Sequence, residues 1–79
     1  MTMSWTEAVT EAVRRIAARR PDGMFNRQDL LAEERDRMVA DTGSQGETPE
    51  QTISRELQQL REAGIIEFVD DAGTYRLIG

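Results

Sequence analysis

Apolar residues in the first twenty positions fall at Trp5, Ala8, Val9, Ala12, Val13, Ile16 and Ala17. That is the spacing of one buried face of a helix. Ser4 and Glu7 form an S-x-x-E capping box in front of it, and Glu11 and Arg15 sit four apart in the favourable order for an ion pair. Pro21-Asp22-Gly23 stops the pattern. Met24 and Phe25 then make a short apolar pair, the length of a two- or three-residue strand. Asn26 suits the N-cap of a second helix, with Asp29 in its first turn. Leu30, Leu31, Met38 and Val39 give this helix a less regular apolar face. Its middle, EERDR at 33–37, reads as solvated charge in which Glu33 and Arg37 pair across one turn. The stretch DTGSQGE, 41–47, reads as a polar loop.

The third helix, about 49–63, has the fullest punctuation. Thr48 stands at the N-cap, Pro49 at the first helical position, and Gln51 completes a T-x-x-Q box. Ile53, Leu57 and Leu60 mark its buried stripe, and Gly64 is placed to end it in the left-handed region. Beyond Gly64 the period falls from 3.6 to about 2, the period of a strand. Ile66 and Phe68 share one face of a strand, Tyr75 and Leu77 the matching face of its partner, and DDAG forms the turn of a hairpin over about 65–78. The order helix, short strand, helix, helix, strand, strand predicts a single mainly α domain over 1–79. Three helices and a small antiparallel sheet make a winged helix-turn-helix, with the hairpin as the wing.

Composition narrows the chemistry. The 79 residues contain no cysteine and no histidine, so disulfides, thiolate catalysis, a zinc site and the commonest general base are not expected. No stretch approaches the roughly 20 apolar residues of a membrane span. The start carries no basic region followed by a long apolar run. The chain therefore reads as soluble and cytoplasmic, with no membrane partner. All ten basic residues are arginine, and the net charge is −5. An arginine-only composition arises from a GC-rich genome or from a salt-loving cell. The acidic balance argues against purely electrostatic nucleic-acid binding. The charge is uneven: residues 1–20 hold four arginines against two glutamates, and 21–47 hold three arginines against seven acids.

With Ile53 at the centre of the buried face and about 100° per residue, Gln51, Arg55, Gln58 and Glu62 point outward. Thr52 and Gln59 lie on one shoulder, Ser54 and Arg61 on the other. Arginine can bond both acceptors of guanine, and glutamine the acceptor and donor of adenine. Hydroxyls and amides at the helix start suit phosphate oxygens. Thr48, Gln51, Thr52, Ser54, Arg55, Gln58, Gln59 and Arg61 are thus the expected DNA-contacting set. Glu50, Glu56 and Glu62 oppose it, since carboxylates repel phosphate. Arg14, Arg15, Arg19 and Arg20 either line a phosphate strand or simply favour the negative end of the first helix. Asp70-Asp71 at the wing tip suits a phosphate-rich groove poorly.

TISRELQQLREAGIIEFVDDAGTYRLI, 52–78, resembles the C-terminal winged-helix domain of Dam-replacing-type restriction endonucleases, enzymes that cut adenine-methylated sites. Ile53, Leu57, Gln58, Leu60, Arg61 and Gly64 match the family's helix; Glu67-Phe68, Gly73, Tyr75 and Leu77 match its wing. Met24-Phe25 followed by Asp29-Leu30 is similar to the segment before its second helix. The family's lysine and arginine around the isoleucine are Thr52 and Ser54 here, and its next two glutamines are Arg55 and Glu56. The matched positions are largely those that build the core and the turn. The resemblance implies the winged-helix fold and DNA as partner.

The chain is too short to add a nuclease domain, and its carboxylates suggest no metal cluster. It reads as non-catalytic and without cofactor. Two functions follow from these features. One is a DNA-binding regulator or recognition module, acting as a homodimer or in a larger assembly. The other is a winged helix that binds protein or dimerises without touching DNA.

Overall fold

The computed structural model describes residues 2–43, 49–70 and 73–78. Helix α1 spans Trp5–Arg19 and is capped by Ser4, whose Oγ accepts from the Glu7 amide at 3.1 Å, the first half of the expected box; the Glu7 carboxylate accepts from the Ser4 hydroxyl. After the turn at Gly23, strand β1, Met24–Asn26, leads into α2, Arg27–Thr42. Asn26 Oδ1 accepts from the Asp29 amide at 2.7 Å, the expected cap. Helix α3 is Pro49–Glu62, and strands β2, Ile66–Phe68, and β3, Thr74–Leu77, follow.

Gly64, at φ 78°, closes α3. The Ile65 amide reaches back to the Leu60 carbonyl and the Gly64 amide to that of Arg61, which is the Schellman pattern. A side chain at that φ would be strained, so glycine fixes where helix gives way to wing.

The three strands form one antiparallel sheet in the order β1-β3-β2. In register, Ile66 faces Leu77 and Phe68 faces Tyr75, as the alternation predicts. Phe25 also faces Tyr75, so the first short strand completes the sheet. The ladder runs on through Val69–Thr74 and Ile65–Ile78. Three helices and this small sheet make the winged-helix plan.

The core joins Val9, Val13 and Ile16 of α1, Leu30 and Met38 of α2, Ile53, Leu57 and Leu60 of α3, and Phe25 and Ile66 of the sheet. Burying each such aliphatic side chain contributes about 1.5–3 kcal/mol. Among the described residues no helix is long and apolar enough to cross a membrane.

Two expectations about α2 are corrected. The helix continues through Asp41 and Thr42, where a loop is expected. Arg37 pairs with Asp41, the Thr42 hydroxyl bonds the Met38 and Val39 carbonyls, and the Asp41 carbonyl accepts from the Met3 amide. The end comes at Gly43, at φ 63°. The EERDR stretch is also not wholly solvated, because Glu34 is only 5% exposed.

Candidate functional site

Helix α3 lies on the core through Ile53 and Leu57, both fully buried, and Leu60. That fixes its roll. Gln51, Arg55, Gln58, Gln59, Arg61 and Glu62 are exposed. Gln51, Arg55, Gln58 and Glu62 form the outward face expected from the sequence, and Gln59 and Arg61, expected on its shoulders, are exposed beside it.

The shoulders differ from expectation. Thr52 is buried, so it is not a surface contact. One turn later on the same row, Glu56 is 6% exposed and accepts a 2.9 Å hydrogen bond from Thr6 Oγ1 of α1. This shoulder therefore packs toward α1, and Glu56 does not oppose an incoming phosphate. A 3.6-residue wheel places Thr52 and Glu56 near the boundary of the buried face; the neighbouring helix decides on which side they fall.

On the other shoulder Ser54 is half-buried. Its Oγ donates to the Glu50 carbonyl at 2.9 Å and accepts from Arg27 Nη1 at 2.6 Å. Arg27, at the start of α2, is brought to the rim of the α3 face by that bond. Thr48 lies outside the described residues, as does Asp71.

Glu50 does not stand open to the site either. Arg35 Nε bonds it at 2.7 Å. Its carboxyl is held below the ordinary carboxylate value chiefly by a hydrogen bond to its own backbone amide; desolvation, the next-largest effect, opposes this, and the Arg35 charge and hydrogen bond and the Arg27 charge add to the lowering. Of the three glutamates expected to repel phosphate, Glu62 is the one on the open face.

The arginines of α1 are drawn to α2. Arg15 Nε donates to Glu34; Arg19 pairs with Glu33 at 3.1 Å and Glu34 at 3.5 Å; Arg20 pairs with Glu33 and, at 3.7 Å, Asp29. Arg14 pairs with Glu11 at 3.5 Å. The expected Glu11–Arg15 and Glu33–Arg37 pairs are not made: Arg15 turns to Glu34 and Glu33 to Arg19 and Arg20 across the helix interface, while Glu11 takes Arg14 and Arg37 takes Asp41 on their own helices. Arg76 pairs with Glu67 on the outer side of the wing. Among the described residues, the arginines with no carboxylate partner are Arg27, Arg55 and Arg61. All three lie on the α3 face or its rim.

The wing adds a feature that the sequence does not predict. The Arg61 guanidinium lies over the Phe68 ring, 4.3 Å from its centroid. Phe68 stacks on Tyr75 at 4.6 Å and Tyr75 on Phe25 at 5.6 Å. A depression of about 410 Å³ beside this stack is lined by Arg61, Phe68, Val69, Asp70 and Gly73. Asp70 accepts from the Thr74 amide, which tightens the wing turn.

Arg27 and Phe68 are therefore the site residues that sequence reasoning misses. Nothing local marks Arg27, since its position depends on how α2 meets α3. Phe68 carries a signal: it is the last residue of a three-residue strand, at the wing end of the sheet, where it is exposed. No protein-family model, curated protein or solved structure matches the chain.

Proposed function

We propose that the chain is a non-catalytic winged-helix module that binds double-stranded DNA, with α3 entering the major groove. One observation carries this reading. Arg27, Arg55 and Arg61 lack carboxylate partners among the described residues, and they converge on the face that also exposes Gln51, Gln58 and Gln59. Arg55, Gln51 and Gln58 supply the donor and acceptor patterns that read guanine and adenine edges. Arg27 and Arg61 flank them, as phosphate-positioning residues flank a reading helix.

A transcriptional regulator or the recognition part of a larger assembly, acting in the cytoplasm, fits such a module. A single domain buries little DNA surface, so specificity calls for a second copy or a partner chain. Selection from a random duplex pool, followed by titration at ~50 and ~200 mM salt, tests the reading. Methylated and unmethylated adenine sites form separate arms, as the likeness to the Dam-replacing family suggests. An enriched sequence whose affinity falls steeply with salt is the expected result. No binding at ~50 mM salt, where charge attraction is strongest, defeats it.

The second reading, a winged helix that binds protein, draws on the exposed Val69 at 43% and on the net charge of −5. Partners recovered from nuclease-treated extract of the source cells favour it. Recovery of partners only while nucleic acid is intact counts against it.

A further inference from the structure

Phe68 is 41% exposed, yet its ring is held on two sides. Tyr75 packs beside it, and Arg61 lies over it. Phe25, Tyr75 and Phe68 are cross-strand neighbours on the same face of the sheet. Phe25 is 2% exposed and belongs to the core. The row therefore runs from the packed interior to a surface arginine. Each ring restricts the next, and the last restricts a guanidinium that would otherwise sample many rotamers.

We infer that Phe68 is a positioning residue that presets Arg61 as a clamp for a DNA phosphate at the junction of α3 and the wing. The inference rests on the DNA-binding reading. Phosphate is favoured over a base edge by place: the first turns of a recognition helix reach the bases, and Arg61 sits in the last turn, beside the wing. A guanidinium stacked by its face keeps N–H groups at its edge for two phosphate oxygens. Arg61 has no carboxylate partner among the described residues to compete for those groups.

The test is a mutant cycle read by salt dependence. Arg61→Ala should flatten the slope of log K against log salt by about 1, the signature of one lost phosphate contact. Phe68→Leu keeps an apolar side chain and removes the ring; it should weaken binding by ~2–5-fold, the scale of an exposed cation–π contact. Phe68→Tyr keeps the ring and should bind like the unsubstituted protein. In the Arg61→Ala background, Phe68→Leu should have no further effect, because residues that act through one another are not additive.

If Phe68→Leu costs the same with and without Arg61, the aromatic side chain acts on its own and the inference falls. Ring-current shifts of the Arg61 side-chain protons, measured by NMR without DNA, check the stack separately. They should be present in the unsubstituted protein and in Phe68→Tyr, and lost in Phe68→Leu. Their absence from the unsubstituted protein also overturns the inference, while DNA binding by that protein leaves the broader reading standing. Failure of the unsubstituted protein to bind any duplex at ~50 mM salt overturns both.

Discussion

Along the seam between α1 and α2, Arg15, Arg19 and Arg20 meet Asp29, Glu33 and Glu34. Along the outer face of α3 and its rim, Arg27, Arg55 and Arg61 form no ion pair with a carboxylate among the described residues. The two regions have similar side chains and opposite electrostatics. The basic first helix looks like the natural phosphate contact, and the acidic second helix looks like an obstacle to DNA. Brought together, they largely cancel each other. What is left to meet a partner is the local charge of α3, where Glu50 is drawn to Arg35 and Glu56 to Thr6. Net charge governs long-range approach; placement governs what a docked surface can do.

The strongest way to break this contrast is to open the seam. Glu34 has a side chain 7% exposed and bridges Arg15 and Arg19. Arg15 Nη2 is already buried with no partner among the described residues. Glu34→Ala leaves the Arg15 guanidinium unmatched and Arg19 with Glu33 alone, and stability should fall by about 3 kcal/mol, the low end for breaking a buried pair because the arginines are partly exposed. Denaturant unfolding measures it. Per folded molecule, non-specific DNA affinity at ~50 mM salt should rise, since a released Arg15 and one fewer carboxylate both favour phosphate. Unchanged affinity would mean that the seam does not mask those charges.

The reciprocal experiment removes a cation from the open face. Arg55→Ala should cost about 1–3 kcal/mol of discrimination at one base position of a selected site. Stability should move by no more than ~0.5 kcal/mol, as for an unpaired surface residue. Competition binding against single-base variants, beside thermal unfolding, reads both quantities. A large stability loss with no change in specificity would make Arg55 structural and remove the contrast from that side.

A smaller effect is expected where α3 leans on α1. Thr6→Ala takes the hydroxyl from the Glu56 carboxylate and should cost about 0.5–1.5 kcal/mol, the net worth of a part-buried hydrogen bond. Thr6→Ser should restore most of it. The urea midpoint is the readout, and DNA affinity of the folded protein should not change.

These cases also show what a sequence reveals. Ile53, Leu57 and Leu60, the caps at Ser4 and Asn26, the close at Gly64 and the Phe68–Tyr75 register are all legible, because each depends on neighbours within a few positions or on a simple period. Thr52, Glu56 and Glu34 are not, because their burial depends on what a facing helix brings near, as Thr6 is brought to Glu56 and Arg15 and Arg19 to Glu34. The outward residues Gln51, Arg55, Gln58 and Gln59 are legible as a face. That Arg27 joins them is a tertiary fact, fixed by its bond to Ser54.

The smallest expected effect sharpens the contrast at the start of α3, where Glu50 belongs to neither region fully. Its carboxyl is held below its ordinary value of 4.5, first by its own backbone amide and then by Arg35 and Arg27. A depressed folded-state value means the fold favours the charged form. The stabilisation is complete above the unfolded-state value and disappears as pH falls through the lower, folded-state one. Glu50→Gln should therefore make the acid limb of the stability profile shallower. The difference between the two proteins should be constant near neutrality and shrink on acidification below about 4.5. Added salt should also shrink the part due to Arg35 and Arg27, because exposed charges are screened. The part due to the backbone amide should persist. If ~1 M salt erases the whole difference, the arginines rather than the helix terminus hold Glu50 in place. In that case Arg35→Gln should reproduce the flattened acid limb with Glu50 intact, and Arg27 would be left with a carboxylate to answer to at the edge of the α3 face.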